Sequence, residues 1–128
     1  MSYYFNKVVD MAFDEAIDKV TEELKKEGFG VLTEIDVKEA LKKKLDVDSR
    51  KYRILGACNP QYAYKALQAE DKIGTMLPCN VIVQETEDGK VEIAAIDPVA
   101  SMQSVQNESL GEIATIIRAK LKQVIEKL

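Results

Sequence analysis

The sequence predicts an α+β domain in which helices pack on one face of an antiparallel sheet. Strand-like and helix-like segments do not alternate regularly along the 128 residues. The clearest pair of neighbouring strands is a hairpin, because Glu87-Asp88-Gly89 joins two short runs of strand-forming residues. The C-terminal segment carries a long apolar stripe at helical spacing, which is typical of a helix that packs across a sheet. No linker or composition change divides the chain, so residues 1–128 are predicted to form a single domain.

The first third of the chain predicts a strand, a helix and a second strand. Residues 3–9 are rich in aromatic and β-branched side chains, which favours a strand. Asp10 is expected to cap the helix that follows, and Gly28 is expected to end it. The apolar stripe of this helix consists of Phe13, Ile17, Val20 and Leu24. Residues 30–35 form the second predicted strand.

The middle of the chain predicts two further helices around a third strand. Asp36 with Glu39 three residues later resembles a capping box, so a helix is expected from that point. Residues 52–57 are predicted as the third strand. Asn59 and Pro60 then predict a helix start, because asparagine is a good N-cap and proline suits the first helical turn.

The last third predicts the hairpin and the long C-terminal helix. The hairpin strands are predicted at residues 79–86 and 90–96, and residues 99–107 lack a regular pattern. Ser109 with Glu112 predicts a second capping box. The helix stripe consists of Leu110, Ile113, Ile117, Leu121, Val124 and Leu128, broadened by Ile116 and Ile125. Its breadth is more than a lone surface helix needs, which leaves some surface for a second subunit.

Composition narrows the function classes. The chain has 18 basic and 22 acidic residues, and Lys42-Lys43-Lys44 would fan outward around a helix, so no nucleic-acid surface is expected. The absence of histidine excludes Ser-His and Cys-His nucleophiles and removes the commonest metal ligand. No apolar run approaches the length of a membrane-spanning helix, and no signal peptide is evident at the N-terminus. We therefore expect a cytoplasmic protein without a membrane partner.

Two short elements hold the only cysteines: Gly56-Ala57-Cys58-Asn59-Pro60 and Leu77-Pro78-Cys79-Asn80. Each cysteine precedes an asparagine and lies close to a proline at a predicted chain reversal. Two similar polar turns in a chain otherwise patterned for packing indicate a shared site.

Three interpretations of the cysteines remain open. Both thiols can be buried small apolar groups, since free cysteine is among the most buried residue types. Cys58 precedes a helix N-terminus, where the dipole can lower a thiol pKa, and Cys79 could then act as its redox partner. Two thiolates with carboxylates from Glu34, Asp36 or Asp97 could surround zinc, but without histidine the sequence favours no metal.

Five other side chains are candidates for the same site or for plain structural roles. Asp97 follows an apolar strand, so it is either an acid with a raised pKa or a strand-ending residue that binds backbone amides. Glu34 lies within an otherwise apolar strand. Arg53 could bind a carboxylate or phosphate of a ligand, or pair with Glu34 on a neighbouring strand. Tyr62 and Tyr64 are predicted on different helix faces, so only one of them is expected in the core.

The ordered motifs resemble the family called domain of unknown function 302, found in bacteria and archaea. The matching segments are Val31-Leu32-Thr33-Glu34-Ile35-Asp36-Val37, Tyr52-Arg53-Ile54-Leu55-Gly56-Ala57-Cys58-Asn59-Pro60, Ala63, Leu67, Ile73-Gly74 and Leu77-Pro78-Cys79-Asn80-Val81. The resemblance implies a compact α+β domain with a curved antiparallel sheet, similar to the TATA-binding-protein fold, and a dimer. It implies no DNA binding, because fold and function separate freely, and it supplies no reaction.

These observations lead to one main hypothesis and two alternatives. The main hypothesis is a homodimeric domain that binds a small molecule near Cys58, Asn59, Cys79 and Asn80, with Glu34, Arg53 and Asp97 as secondary candidates. The first alternative is a thiol-dependent redox protein or enzyme that uses both cysteines. The second is an interaction module whose dimer surface is itself the function. Neither a cofactor nor a reaction follows from the sequence.

Overall fold

The computed structural model describes residues 2–128, which form one open five-stranded sheet with helices. The strands are β1 (Tyr4–Val9), β2 (Gly30–Asp36), β3 (Tyr52–Cys58), β4 (Cys79–Glu85) and β5 (Val91–Ile96). Every neighbouring pair is antiparallel, and the order across the sheet is β1-β5-β4-β3-β2. Because β1 and β2 are the two edges, the sheet does not close into a barrel. The predicted α+β class and the antiparallel sheet are confirmed.

Two long helices cover one face of this sheet. The helices are α1 (Phe13–Lys26), α2 (Val37–Leu45), α3 (Pro60–Ala69), α4 (Pro98–Ser101) and α5 (Glu108–Glu126), and a 3-10 helix spans Asp71–Met76. The apolar stripes of α1 and α5 pack on the strands and form the main core. The bounds of β1, α3 and the hairpin agree with the sequence within a residue or two, whereas the 3-10 helix and α4 lie in segments without a sequence pattern.

Burial alternates along β5 and the middle of β4, as expected for a sheet that is covered on one face. Val81 and Val83 are fully buried on β4, while Ile82 between them is only half-buried on the other face. A second, smaller apolar cluster lies between α3, the 3-10 helix and α5, and consists of Ala66, Ile73 and Leu110. The sheet therefore has a covered face and a face without helices.

Tertiary contacts decide which of the predicted caps form. Asp36 caps α2 as predicted, and its side chain accepts a hydrogen bond from the Glu39 amide at 3.0 Å. The Asp10 cap is wrong, because α1 begins only at Phe13 and has no side-chain cap. The Ser109 capping box is also wrong.

Asn107 takes that place at the start of α5. It accepts a hydrogen bond from the Leu110 amide at 3.3 Å and donates one to the Ala69 carbonyl at 2.9 Å. Because this one side chain joins α3 to α5 while capping α5, it satisfies groups on two helices. That dual role depends on the fold, so the sequence could not reveal it.

Gly56 lies on β3, in close contact with β2 and with the residue that precedes β4. It pairs with Thr33 on β2 and with Asn80 on β4. A Cβ atom at this position would overlap Thr33 Oγ1 and lie 2.8 Å from Pro78 Cγ. The missing side chain therefore makes room for both neighbours, and any larger residue would push them apart.

We expect Gly56→Ala to lower the free energy of unfolding by about 1–3 kcal/mol, as overpacking does elsewhere. Gly111→Ala is the matched control, since an added Cβ there meets no atom within 4 Å and alanine favours the helix. Urea unfolding of the two variants measures the difference. Equal stabilities would show that the close approach at Gly56 is unimportant.

Candidate functional site

An apolar cavity lies where the main core meets the smaller cluster. Its volume is about 330 Å³, which falls within the range of small-molecule sites. None of the described residues on its wall is charged. They are Phe29, Leu32, Ala57, Cys58, Asn59, Tyr62, Ala63, Ala66, Leu67, Gly74, Leu77, Pro78, Cys79, Pro98, Met102, Leu110, Ile113, Ala114 and Ile117.

Both cysteines lie on the wall of this cavity. Cys58 ends β3 and Cys79 begins β4, and Cys79 pairs in register with Ala57, the neighbour of Cys58. Neither forms a disulfide. Burial raises the pKa of the Cys58 thiol, and burial together with repulsion from Cys58 raises the pKa of the Cys79 thiol to about 11. Both are therefore neutral thiols near pH 7, and the expected dipole effect on Cys58 does not prevail over desolvation.

Asn59 borders the cavity and holds the preceding turn in place. Its side chain does not cap α3, contrary to the sequence prediction. Instead Nδ2 donates to the Glu27 carbonyl at 3.2 Å, while the backbone carbonyl of Asn59 accepts hydrogen bonds from Tyr62 and Ala63. The side chain is buried, and its Oδ1 accepts no hydrogen bond from residues 2–128. Asn59 thus provides an open acceptor next to an apolar wall.

Asn80 does not border the cavity that Cys58, Asn59 and Cys79 share. Successive side chains of a strand point to opposite faces, so Asn80 lies on the helix-free face whereas Cys79 lies on the covered one. Asn80 is exposed, pairs with Gly56 and borders a shallow groove together with Tyr52 and Ile82. Asn80 is therefore not part of the cavity wall, although a separate groove at the start of β4 is lined by both Cys79 and Asn80.

Glu34 and Arg53 lie away from the cavity and neutralise each other. Arg53 on β3 pairs with Glu34 and with Asp36 on the neighbouring strand, at 2.5 and 3.4 Å. Its guanidinium carbon also lies 5.9 Å from the centre of the Phe13 ring. Of the two roles considered for Arg53, the structure shows the ion pair with Glu34.

Asp97 has a structural role at the end of β5. Its carboxylate accepts a hydrogen bond from the Val99 amide at 3.0 Å, which caps α4, and another from Arg118 Nε at 3.1 Å. It is only 6% exposed and does not border the cavity. Within residues 2–128 no three His, Cys, Asp or Glu side chains are grouped as metal ligands would be.

Several wall residues were not identified as site candidates from the sequence. Tyr62 was considered, and it is half-buried at the cavity while Tyr64 is 65% exposed. Leu32 and Ala63 lie within the family motifs, but they and Met102 showed only apolar character and no sign of a role in a site. Leu32 reaches the wall only because β2 contains an irregularity, which a sequence pattern does not show.

The fold and the cavity together define a small α+β domain with a ligand-sized apolar site next to two thiols. The chain belongs to the family described as domain of unknown function DUF302, whose model matches residues 5–128. The crystal structure of an uncharacterized conserved protein DUF302 from Bacillus stearothermophilus is similar, with a TM-score of 0.92 and 31% sequence identity. The match covers 99% of this chain and 98% of that one. No protein of curated function matches the sequence. Among residues 2–128, no helix has both the length and the apolar character needed to cross a bilayer.

We expect both thiols to react slowly with iodoacetamide near pH 7, because the thiolate is the reacting form and their pKa values are raised. For Cys79, measured in Cys58→Ala, the rate should rise roughly tenfold per pH unit until the pH approaches the thiol pKa. Mass spectrometry gives the rate of each thiol, and the urea-unfolded chain is the control. A rate that levels off below about pH 8.5, the ordinary cysteine value, would contradict this expectation.

Proposed function

We propose that this protein binds a small, uncharged, largely apolar molecule in the cavity between the sheet, α3 and α5. The observation that carries the proposal is a cavity of about 330 Å³ whose described wall residues include no charged side chain. An apolar wall that is open to water is unfavourable until something covers it, so this surface favours an apolar ligand. The two Cys-Asn elements contribute Cys58, Asn59 and Cys79 to this wall.

The chemistry of the wall selects the class of ligand. A charged group would lose its hydration in the cavity without gaining an ionic partner, so an uncharged molecule is favoured. The neutral thiols of Cys58 and Cys79 present small polarisable surfaces to it. Asn59 Oδ1 offers an acceptor for a single hydroxyl or amide donor, which would orient the molecule.

A thiol-dependent redox protein or enzyme remains the alternative function. The placement of both cysteines on one cavity supports it, because two neighbouring thiols are what a disulfide cycle requires. Their raised pKa values weigh against it, since nucleophilic cysteines are held as thiolates near neutral pH. Apolar ligand binding needs no thiolate, so we favour it.

A substitution that fills the cavity should weaken ligand binding. Ala63 is half-buried on α3 and borders the cavity, so Ala63→Phe places a ring in the space available to a ligand. Binding of Nile red, an uncharged fluorescent dye, should weaken at least about tenfold, corresponding to roughly 1.4 kcal/mol. Fluorescence titration with 1-octanol as an unlabelled competitor measures it.

Ala119→Phe is the matched control, because Ala119 is exposed on α5 and does not border the cavity. It adds the same ring to the surface and should leave dye affinity unchanged. If wild-type protein shows no saturable dye binding, or if the two variants behave alike, the proposed function is wrong.

We also propose that the protein is a homodimer joined through the helix-free face of the sheet. Ile35, Ile54, Ile82 and Ala94 are register neighbours on four adjacent strands, so they form a continuous apolar row across this face. Next to the row, Glu92 already accepts hydrogen bonds from Asn6 and Gln84, both at 2.8 Å. Because these polar groups are already hydrogen-bonded to each other, less desolvation free energy is lost when a second copy covers this face.

Helix α5 has less exposed apolar surface for a dimer interface than its sequence pattern predicts. Ile125 is buried within the monomer, and Ile116 alone of the broadening pair is exposed, at 42%. The two surfaces can therefore be compared with equivalent substitutions.

We expect Ile82→Arg to give a monomer, because it places a charge in the centre of the apolar row, whereas Ile116→Arg should remain dimeric. Sedimentation velocity over a concentration series measures both. A wild-type protein that stays monomeric at the highest concentration would overturn the dimer. Dissociation by Ile116→Arg alone would place the interface on α5.

A further inference from the structure

The edge strand β2 contains a β-bulge next to the cavity. Val31 pairs with Ala57 and Thr33 pairs with Gly56, so Leu32 has no pairing residue on β3. An extra residue in one strand turns its side chain away from the regular alternation. The adjacent β3 segment is the one that leads into Cys58 and Asn59.

Leu32 is both part of the cavity wall and widely exposed. It borders the cavity, yet 67% of its surface is accessible, a value that only Leu45 exceeds among the large apolar side chains of residues 2–128. A wall residue with such exposure lies at the mouth. Leu67 on α3 also borders the cavity and is 44% exposed, so the mouth lies between the β2 bulge and α3.

We propose that Leu32 is the gate of the cavity: its side chain controls how fast an apolar ligand enters and leaves, and it contacts the bound molecule. This inference rests on the proposed function. A leucine at the mouth changes rotamer without disturbing the sheet, because its side chain is not packed in the core. Water-exposed apolar surface on Leu32 would be covered when a ligand occupies the mouth, which favours the bound state.

Protection of the sheet edge is a different role that a bulge can have. A bulge on an edge strand discourages pairing with another chain. That role depends on the backbone of residues 31–33 and not on the identity of the side chain at Leu32. A substitution that shortens this side chain and leaves the backbone in place therefore separates the two roles.

The test measures the kinetics of Nile red binding by stopped-flow fluorescence. In Leu32→Ala we expect dissociation to accelerate about five- to tenfold, since the lost methyl groups no longer contact the dye, and association to become faster as the mouth widens. Leu32→Phe should slow both steps. Leu45→Ala is the matched control, because it makes the same substitution at a leucine on α2 that is 69% exposed and does not border the cavity.

The outcomes separate this inference from the proposed function. Absence of saturable dye binding by the wild-type protein would overturn both. Wild-type binding that Ala63→Phe weakens, together with Leu32→Ala kinetics no different from those of Leu45→Ala, would overturn the gate alone. Faster exchange in Leu32→Ala and slower exchange in Leu32→Phe, with Leu45→Ala unchanged, would support the gate.

Discussion

Three chain segments approach closely at Gly56, and this approach holds the two cysteine-containing elements side by side. Thr33 from β2 and Pro78 from the start of β4 occupy the space that a side chain at position 56 would take. This contact joins the glycine of one Cys-Asn element to the proline of the other. Because Cys58 follows two residues later and Cys79 comes directly after Pro78, the same contact brings both cysteines to one cavity. The two elements thus have a structural reason to occur together, independent of any reaction.

The sequence predicts the parts of this fold that depend on local chemistry. The Asp36 cap, the hairpin turn ending in Gly89 and the strand and helix order all follow from a few neighbouring residues, and Gly89 has the positive φ of 78° that this turn requires. The failures occur where a polar side chain finds a distant partner. Asn59 reaches the Glu27 carbonyl instead of capping α3, and Asn107 joins α5 to Ala69. Local patterns cannot show such contacts, because the competing partner comes from another element.

The candidate site could be predicted only in part, because its arrangement also depends on contacts between distant segments. The two cysteines could be proposed as neighbours from their matching elements, but only the β3–β4 register shows that Cys79 lies opposite Ala57. Successive side chains of a strand point to opposite faces, so Asn80 and Cys79 cannot both face the cavity. The sequence already implied this once β4 was predicted to begin at residue 79. The position of Leu32 on the cavity wall could not be predicted, since the bulge that turns it towards the cavity depends on the pairing of β2 with β3.

The thiols are better understood as part of an apolar wall than as reactive groups. A catalytic cysteine needs a cation, a helix dipole or a base to hold its thiolate, and such groups must outweigh desolvation. The chain has no histidine, and none of the described residues on the wall is charged. Arg53, the basic side chain considered as a site residue, pairs with Glu34 instead. Because the helix dipole near Cys58 does not outweigh desolvation, burial is the main cause of the raised thiol pKa values. The same burial makes the cavity suitable for an uncharged ligand.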